Sequence, residues 1–328
     1  MTAARSAVSV STVRIGTRAS ELALRQARQV QSALAARGVA GELVTYTTLG
    51  DRRLDVALTA IGGKGLFTKE LEDDLLAGRV DCCVHSLKDL PTESPPGLEV
   101  VALLEREDPR DALVLGPGLA GAGASIAALP AGARVGTSSL RRRAQLLAAR
   151  PDVEVRELRG NVPTRLRKVD AGEVDAAILA AAGLHRLDAD HRVGAYLDAP
   201  AWLPAAGQGA IAVQVRADDA PMRALLAPLD HAPTSLASGA ERAFLAALEG
   251  GCQVPIGALA IVEGSALVLH GFVASVAGDR VVRGSGLVDL RDPARAGQTL
   301  AGELRARGGA EILASLRGAN HLPAPQPE

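Results

Sequence analysis

Aromatic residues are scarce in this chain of 328: three Phe, two Tyr and one Trp make up 2% of it. Its cores must therefore be built from Ala, Val and Leu, and a nucleic-acid groove is disfavoured because base stacking needs interleaved aromatics. Net charge is nearly absent as well, at −1, which argues against wholesale binding to nucleic acid or to an anionic membrane surface. Three cysteines, two of them adjacent, are too few for a disulfide framework and fit a reducing compartment. The first eleven residues lack the continuous apolar stretch of a signal peptide, and no run approaches the length of a membrane span. A soluble protein of the cytoplasm is expected. The six histidines form no His-x-x-x-His pair, and no Cys-x-x-Cys accompanies them, so no metal is assigned.

What is present is ample apolar material, 48% of the residues, in a chain long enough for two or three domains. The first two-thirds alternates short apolar strands with amphipathic helices, the pattern of an α/β domain. Val13–Thr17 reads as a strand, followed by a helix capped by Ser20 with Ala23, Ala27, Val30 and Leu34 on one face. A helix capped by Thr68 is expected to turn Leu71, Leu75 and Leu76 inward, and the strand Val80–Val84 leads into His85-Ser86-Leu87-Lys88-Asp89. The apolar rhythm breaks between Glu105 and Asp111, which reads as a crossing into a second α/β unit, and Leu203–Gly209 reads as the return. Beyond Leu229 one helix, three strand-like runs and a helical stretch describe a small α+β unit. The expected fold is thus two α/β lobes joined by two crossings, plus a small C-terminal α+β domain. Its divisions fall at 12–107 with 208–228, at 108–207, and at 229–322, with a disordered tail over 323–328. Ligands of such folds sit beyond the carboxyl ends of the strands, here in the cleft between the lobes.

Between Arg134 and Lys168 stand nine arginines and one lysine against Asp152, Glu154 and Glu157, a local balance of +7 in a chain whose total is −1. A basic run by itself reads as a solvated face. These cations, however, fall at strand and helix ends that face the inferred cleft. Arg141, Arg142 and Arg143 open a helix just after Gly136-Thr137-Ser138-Ser139, against the helix dipole, so an anionic ligand would relieve them. Lys88 and Asp89 end a strand at the same cleft; spacing leaves open whether they form a surface ion pair or meet a reactant. Arg18 and Ser20 repeat that placement after the first strand. Gly62-Gly63-Lys64-Gly65 lacks the P-loop spacing and reads as a glycine-hinged lid, with Phe67 at its end. Cys252, in Glu249-Gly250-Gly251-Cys252-Gln253-Val254-Pro255, sits in an exposed loop after a helix, whereas Cys82 and Cys83 read as strand residues of core and flank. Spacing alone does not separate a functional Cys252 from an inert one.

Ordered motifs then align with a known family. Arg14-Ile15-Gly16-Thr17-Arg18-Ala19-Ser20, Gly62-Gly63-Lys64-Gly65-Leu66-Phe67, Val84-His85-Ser86-Leu87-Lys88-Asp89-Leu90-Pro91 and Glu105-Arg106-Glu107-Asp108-Pro109-Arg110-Asp111 are followed by four more. These are Gly136-Thr137-Ser138-Ser139-Leu140-Arg141-Arg142, Leu158-Arg159-Gly160-Asn161-Val162, Pro204-Ala205-Ala206-Gly207-Gln208-Gly209 and the run from Glu249 to Gly257. Over nearly its whole length the chain resembles the porphobilinogen deaminases, also called hydroxymethylbilane synthases. The resemblance implies two lobes like a periplasmic binding protein plus a third domain. It implies a transferase of haem biosynthesis that joins four porphobilinogens head to tail with loss of ammonia and releases hydroxymethylbilane by hydrolysis. The growing chain starts on a dipyrromethane cofactor held by a thioether, here at Cys252. Asp89 matches the catalytic carboxylate. Arg18, Ser20, Lys88, Thr137, Ser138, Ser139, Arg141, Arg142, Arg159, Arg165, Arg186 and Gln208 match the set that binds cofactor and substrate, and Lys64 and Phe67 match the lid. A monomer is expected, whose product passes to uroporphyrinogen-III synthase. Ala60 stands where many members carry a further lid lysine. A non-catalytic two-lobed anion receptor would keep the arginines but need neither Asp89 nor Cys252.

Overall fold

A computed structural model describes residues 12–48, 50, 67–119, 123–249 and 254–318. The first lobe begins with β1 (Val13–Arg18), α1 (Glu21–Ala35), β2 (Gly41–Tyr46), α2 (Lys69–Leu76), β3 (Cys82–Ser86) and β4 (Leu98–Leu103). The second holds β5 (Asp111–Leu115), β6 (Arg134–Gly136), α3 (Leu140–Ala149), β7 (Glu154–Arg156), α4 (Val162–Asp170), β8 (Ala176–Ala180), α5 (Ala181–His185) and β9 (Ala195–Leu197). The chain then returns to the first lobe with β10 (Ile211–Arg216) and α6 (Ala220–Leu226). The third unit comprises α7 (Ala232–Ala247), β11 (Ile256–Glu263), β12 (Ala266–Ala274), β13 (Val281–Leu287), α8 (Pro293–Leu304) and α9 (Ala310–Gly318).

The two lobes share one sheet plan, β2-β1-β3-β10-β4 in the first and β7-β6-β8-β5-β9 in the second. In each, the strand beside the parallel trio runs antiparallel to it and lies directly across a crossing from the other lobe: β10 pairs β3, and β5 pairs β8. The crossings lie side by side, tied by Leu104 N–H to the Ile211 carbonyl at 3.0 Å and Glu107 N–H to the Gly209 carbonyl at 3.3 Å. Their exchange makes a double-stranded hinge. A small antiparallel sheet, β11-β12-β13, packs with α7 and α8 around Phe244, Leu269, Leu300 and Leu304 in the third unit.

Local sequence accounts for most of these elements. Ser20 caps α1, accepting from Ala23 N–H at 3.3 Å, and Ala23, Ala27, Val30 and Leu34 are buried on the sheet side. Strand β1 is nearly continuously buried because helices and loops cover both faces. Helix α2 departs from expectation in two ways. Thr68 makes no capping bond and donates instead to Glu72 Oε2 at 3.0 Å. Leu71 and Leu75, one turn apart, are buried, but Leu76 lies about 100° further round the helix and is 47% exposed. Cys82 and Cys83 are both buried in β3, and burial pushes the Cys82 thiol up to about 12. No helix among the described residues is long and apolar enough to cross a membrane.

Candidate functional site

The carboxyl ends of β1 and β3 from one lobe and of β6 and β8 from the other meet at the cleft. After β3 the chain makes a single 3-10 turn, Leu87–Asp89, which puts Lys88 and Asp89 at the strand end. Leu87 is buried, and its N–H donates to the Ala210 carbonyl at 3.0 Å. From α7, the Arg242 guanidinium donates to the carbonyls of Pro91 and Thr92 at 2.6 and 3.0 Å, with longer bonds to those of Leu87 and Leu90. The turn bearing Asp89 is thus held from behind by the third unit. At the end of β1 the Arg18 guanidinium lies 4.4 Å from the Phe67 ring centroid, a cation–π contact that joins two of the expected site residues.

In the second lobe the hydroxyls after β6 bond first to their own backbone. Thr137 Oγ1 accepts from Ser139 N–H at 3.2 Å, and Ser139 caps α3 by accepting from Arg142 N–H at 3.5 Å. Both keep a proton to donate. Ser138 donates its own to the Leu158 carbonyl at 2.8 Å, which leaves it only lone pairs for a ligand.

Arg141 and Arg142 are nearly buried, and the anion that relieves them is internal. Asp111, fully buried at the start of β5, accepts from Arg141 Nη1 at 2.6 Å and from Arg142 Nη2 at 2.7 Å. It also accepts from Trp202 Nε1 at 2.8 Å and from Gln208 Nε2 at 2.9 Å. Burial opposes its ionisation, but the two guanidiniums outweigh burial and hold the carboxyl well below the usual carboxylate range. One carboxylate against two guanidiniums still leaves a positive charge.

Further cations gather around it. Arg165, whose Nε donates to the Gly160 carbonyl at 2.8 Å, is pushed down to about 10 by burial and by Arg142 and Arg159, with Asp89 opposing. Half-buried Lys88 is brought down to about 8, chiefly by burial, with Asp89 and Asp111 pulling up and Arg142 and Arg141 pushing down. These couplings set Asp89 of one lobe within the field of Arg165 of the other. Arg159 reaches Glu157 at 3.5 Å. Arg186 faces the hinge, donating Nη2 to the Gly209 carbonyl at 2.7 Å, while its buried Nε has no hydrogen-bond partner.

The expected set therefore divides. Lys88, Asp89, Arg159 and Arg165 are linked through one another's charges; Arg141, Arg142 and Gln208 close on Asp111 in the hinge; Arg18 lies against Phe67. Lys64 and Cys252 lie outside the described residues, as does the tail 323–328. Asp111 was missed as a site residue, although an acid opening the apolar run Ala112-Leu113-Val114-Leu115 is itself a sign of a buried carboxylate in need of partners. Among the described residues no group of three or more His, Cys, Asp or Glu side chains could hold a metal ion.

Two family models match the chain: "Porphobilinogen deaminase, dipyromethane cofactor binding domain" over residues 13–224, and "Porphobilinogen deaminase, C-terminal domain" over residues 235–306. The porphobilinogen deaminase of Moorella thermoacetica is 53% identical over 307 residues, covering 93% of this chain and 96% of the relative. That of Roseiflexus sp. strain RS-1 is 51% identical over 305 residues, covering 92% and 99%. Among solved structures, the methionine-binding protein MetQ overlays 67% of this chain and 89% of its own at 14% identity with a TM-score of 0.43; the two-lobed fold is read from the sheet topology and not from this likeness. With about half its residues shared with such relatives from end to end, and both family models matched in order, the chain belongs to the porphobilinogen deaminase family.

Proposed function

We propose that Asp89 is the carboxylate of the condensation step in this enzyme, and that the cations around it seat the acetate and propionate groups of the pyrroles. Members of the family are transferases that condense four porphobilinogens on a dipyrromethane cofactor and release hydroxymethylbilane. The observation that carries the assignment is the placing of Asp89 beside Lys88 on one turn at the end of β3, within the electrostatic field of Arg165 from the other lobe.

The residues present fit a polycarboxylate pyrrole. Lys88 and Arg165 are both held below their ordinary values by burial, and the buried Arg186 Nε lacks a partner, so a bound anion would stabilise all three. Lys88, Arg142, Arg159 and Arg165 would hold the acidic side chains, and Thr137, Ser139 and Ser20 keep hydroxyl protons to donate. When bound, the dipyrromethane supplies a free pyrrole α-carbon as the first nucleophile, and its attachment is assigned to Cys252. As the amino nitrogen of porphobilinogen's aminomethyl arm leaves as ammonia, the methylene stays on the ring and positive charge develops across it and the ring nitrogen, until the nucleophilic α-carbon bonds to that methylene and loses its proton. Asp89 accepts the ring N–H and offsets that charge, an electrostatic role that requires the carboxylate to be ionised and placed beforehand. Arg18, stacked on Phe67, presents its edge to a further carboxylate. Lobe boundaries at 107/108 and 207/208, a monomer in the cytoplasm, and transfer of the product to uroporphyrinogen-III synthase complete the reading.

The test is intact mass. Purified from a haem-competent host, the protein should exceed its sequence mass by two pyrrole units and colour with acidic Ehrlich's reagent, and Cys252→Ser should do neither. An unmodified, colourless parent would instead support a non-catalytic anion receptor.

A further inference from the structure

Gln208 stands between two glycines of positive φ, Gly207 at +72° and Gly209 at +91°. A Cβ at either would press on a neighbour: Leu87 Cγ at 2.8 Å for Gly207, and the Glu107 carbonyl for Gly209. The pair lets the return crossing turn tightly enough to bury the glutamine, which is 1% exposed. Its amide has one sensible orientation. Nε2 faces three acceptors, the carbonyls of Pro109 at 2.8 Å and Arg110 at 3.2 Å and Asp111 Oδ1 at 2.9 Å, so Oε1 faces the Lys88 ammonium at 3.3 Å. The backbone carbonyl of Gln208 accepts from Arg106 Nε at 2.8 Å.

An unbroken polar chain therefore runs through the hinge, from Lys88 of the first lobe through Gln208 and Asp111 to Arg141 and Arg142 of the second. We propose that Gln208, backed by Asp111, is a positioning residue that sets Lys88 of one lobe in register with Arg141 and Arg142 of the other, so that the two halves of the carboxylate-binding site are spaced by the hinge itself. This rests on the assignment of Lys88 to substrate carboxylates. An ammonium has three protons; with one committed to Gln208, the others are aimed. The charged groups that face Lys88 are Asp89 on its own turn, Asp111 from β5, and Arg141 and Arg142 from α3.

The chain has only four lysines, Lys64, Lys69, Lys88 and Lys168, so reductive 13C-methylation of the cofactor-loaded protein gives a resolvable NMR titration of Lys88 without turnover. Gln208→Met removes the acceptor and should lower that titration by about one pH unit, because the ammonium loses the group that favours its charged form. Gln208→Glu places a carboxylate there and should raise it by about one unit or more. At pH 7.5 the Met variant should raise KM for porphobilinogen about tenfold, the loss expected for one hydrogen bond to a charged group, while kcat changes less than threefold. Opposite shifts support positioning. Unmoved titrations, or shifts in the same direction, overturn it. If Gln208→Glu does not fold, as judged by melting and by the emission of the single tryptophan, Trp202, the Met variant decides by the same criteria. Loss of fold in both would make Gln208 structural alone and overturn the proposal. A parallel Lys88→Gln variant separates the two readings. An unchanged KM there would remove Lys88 from substrate binding, whatever the NMR says of Gln208.

Discussion

Arg106 and Glu241 form a two-pronged ion pair inside the protein, Nη1 to Oε1 at 2.6 Å and Nη2 to Oε2 at 3.0 Å, with Glu241 fully buried. The same carboxylate accepts from Gly207 N–H at 2.7 Å and from Ala260 N–H at 2.9 Å. One side chain of α7 thereby joins the outgoing crossing, the return crossing and the third-unit sheet.

Glu241→Ala would strand a buried guanidinium and two amide protons at once. The expected loss is about 3–5 kcal/mol of stability, the range for breaking a buried pair from one side. Urea unfolding followed at Trp202 measures it. A loss below about 1 kcal/mol would mean that water or a rearranged Arg106 replaces the pair.

Asp89→Glu keeps the charge but moves it by one methylene on a turn that Arg242 fixes from behind. The longer side chain cannot withdraw by shifting that turn. We expect the variant to carry its cofactor, by intact mass, and to turn over at least about a hundredfold more slowly, the scale of losing one preorganised electrostatic contact. Near-parental turnover would remove Asp89 from the centre of the reaction.

How much of this was legible follows from which forces are local. Helix α1 is written in Ser20 and the spacing of Ala23, Ala27, Val30 and Leu34, and β12 in its largely apolar run Ala266–Ala274. Lys88 and Asp89 could be placed in the cleft because they directly follow an apolar strand. Leu76, expected inward with Leu71 and Leu75, is 47% exposed, since one extra leucine beside Leu75 does not say which of the two faces the sheet. The hinge was the hardest to read. Asp111 follows Arg110, which suggests a surface pair, but Arg110 turns to Asp108 and Asp198 and leaves Asp111 to Arg141, Arg142, Trp202 and Gln208. Those partners lie up to 97 residues away, and no local pattern encodes them.

The same hub separates two arginine variants that the sequence would treat alike. Arg142→Leu strips one partner from the buried Asp111 carboxylate and should both destabilise the protein and stall elongation. Arg159 pairs at 3.5 Å with the exposed Glu157 and not with the buried Asp111, so Arg159→Leu should stall elongation with a smaller fall in melting temperature than Arg142→Leu. Mass spectrometry after incubation with limiting porphobilinogen would display the stall as a ladder of enzyme-bound intermediates. A parental mass profile for Arg159→Leu would exclude it from binding the growing chain.

Acid should weaken the first lobe before it reaches the carboxylates, through His85. This histidine is 5% exposed and bonds through Nε2 to Gln214 Oε1 at 3.1 Å. Gln214 donates to Glu72 Oε1 at 3.2 Å, so its oxygen faces the ring and His85 is the Nε2–H tautomer. Burial, with Arg18 nearby and Gln214 opposing, brings His85 from 6.5 down to about 4. Between those values the unfolded chain binds more protons than the folded one, so stability falls as pH drops through the window and is unaffected by this group above it. From pH 7 to pH 4.5 the His85 contribution amounts to about 2 kcal/mol. Urea unfolding of the parent and of His85→Gln at both pH values isolates it, since every other titrating group is common to the two. The variant should lose less stability over the interval by that amount. Equal losses would mean that His85 gains water or a proton partner in the folded protein as readily as in the unfolded chain.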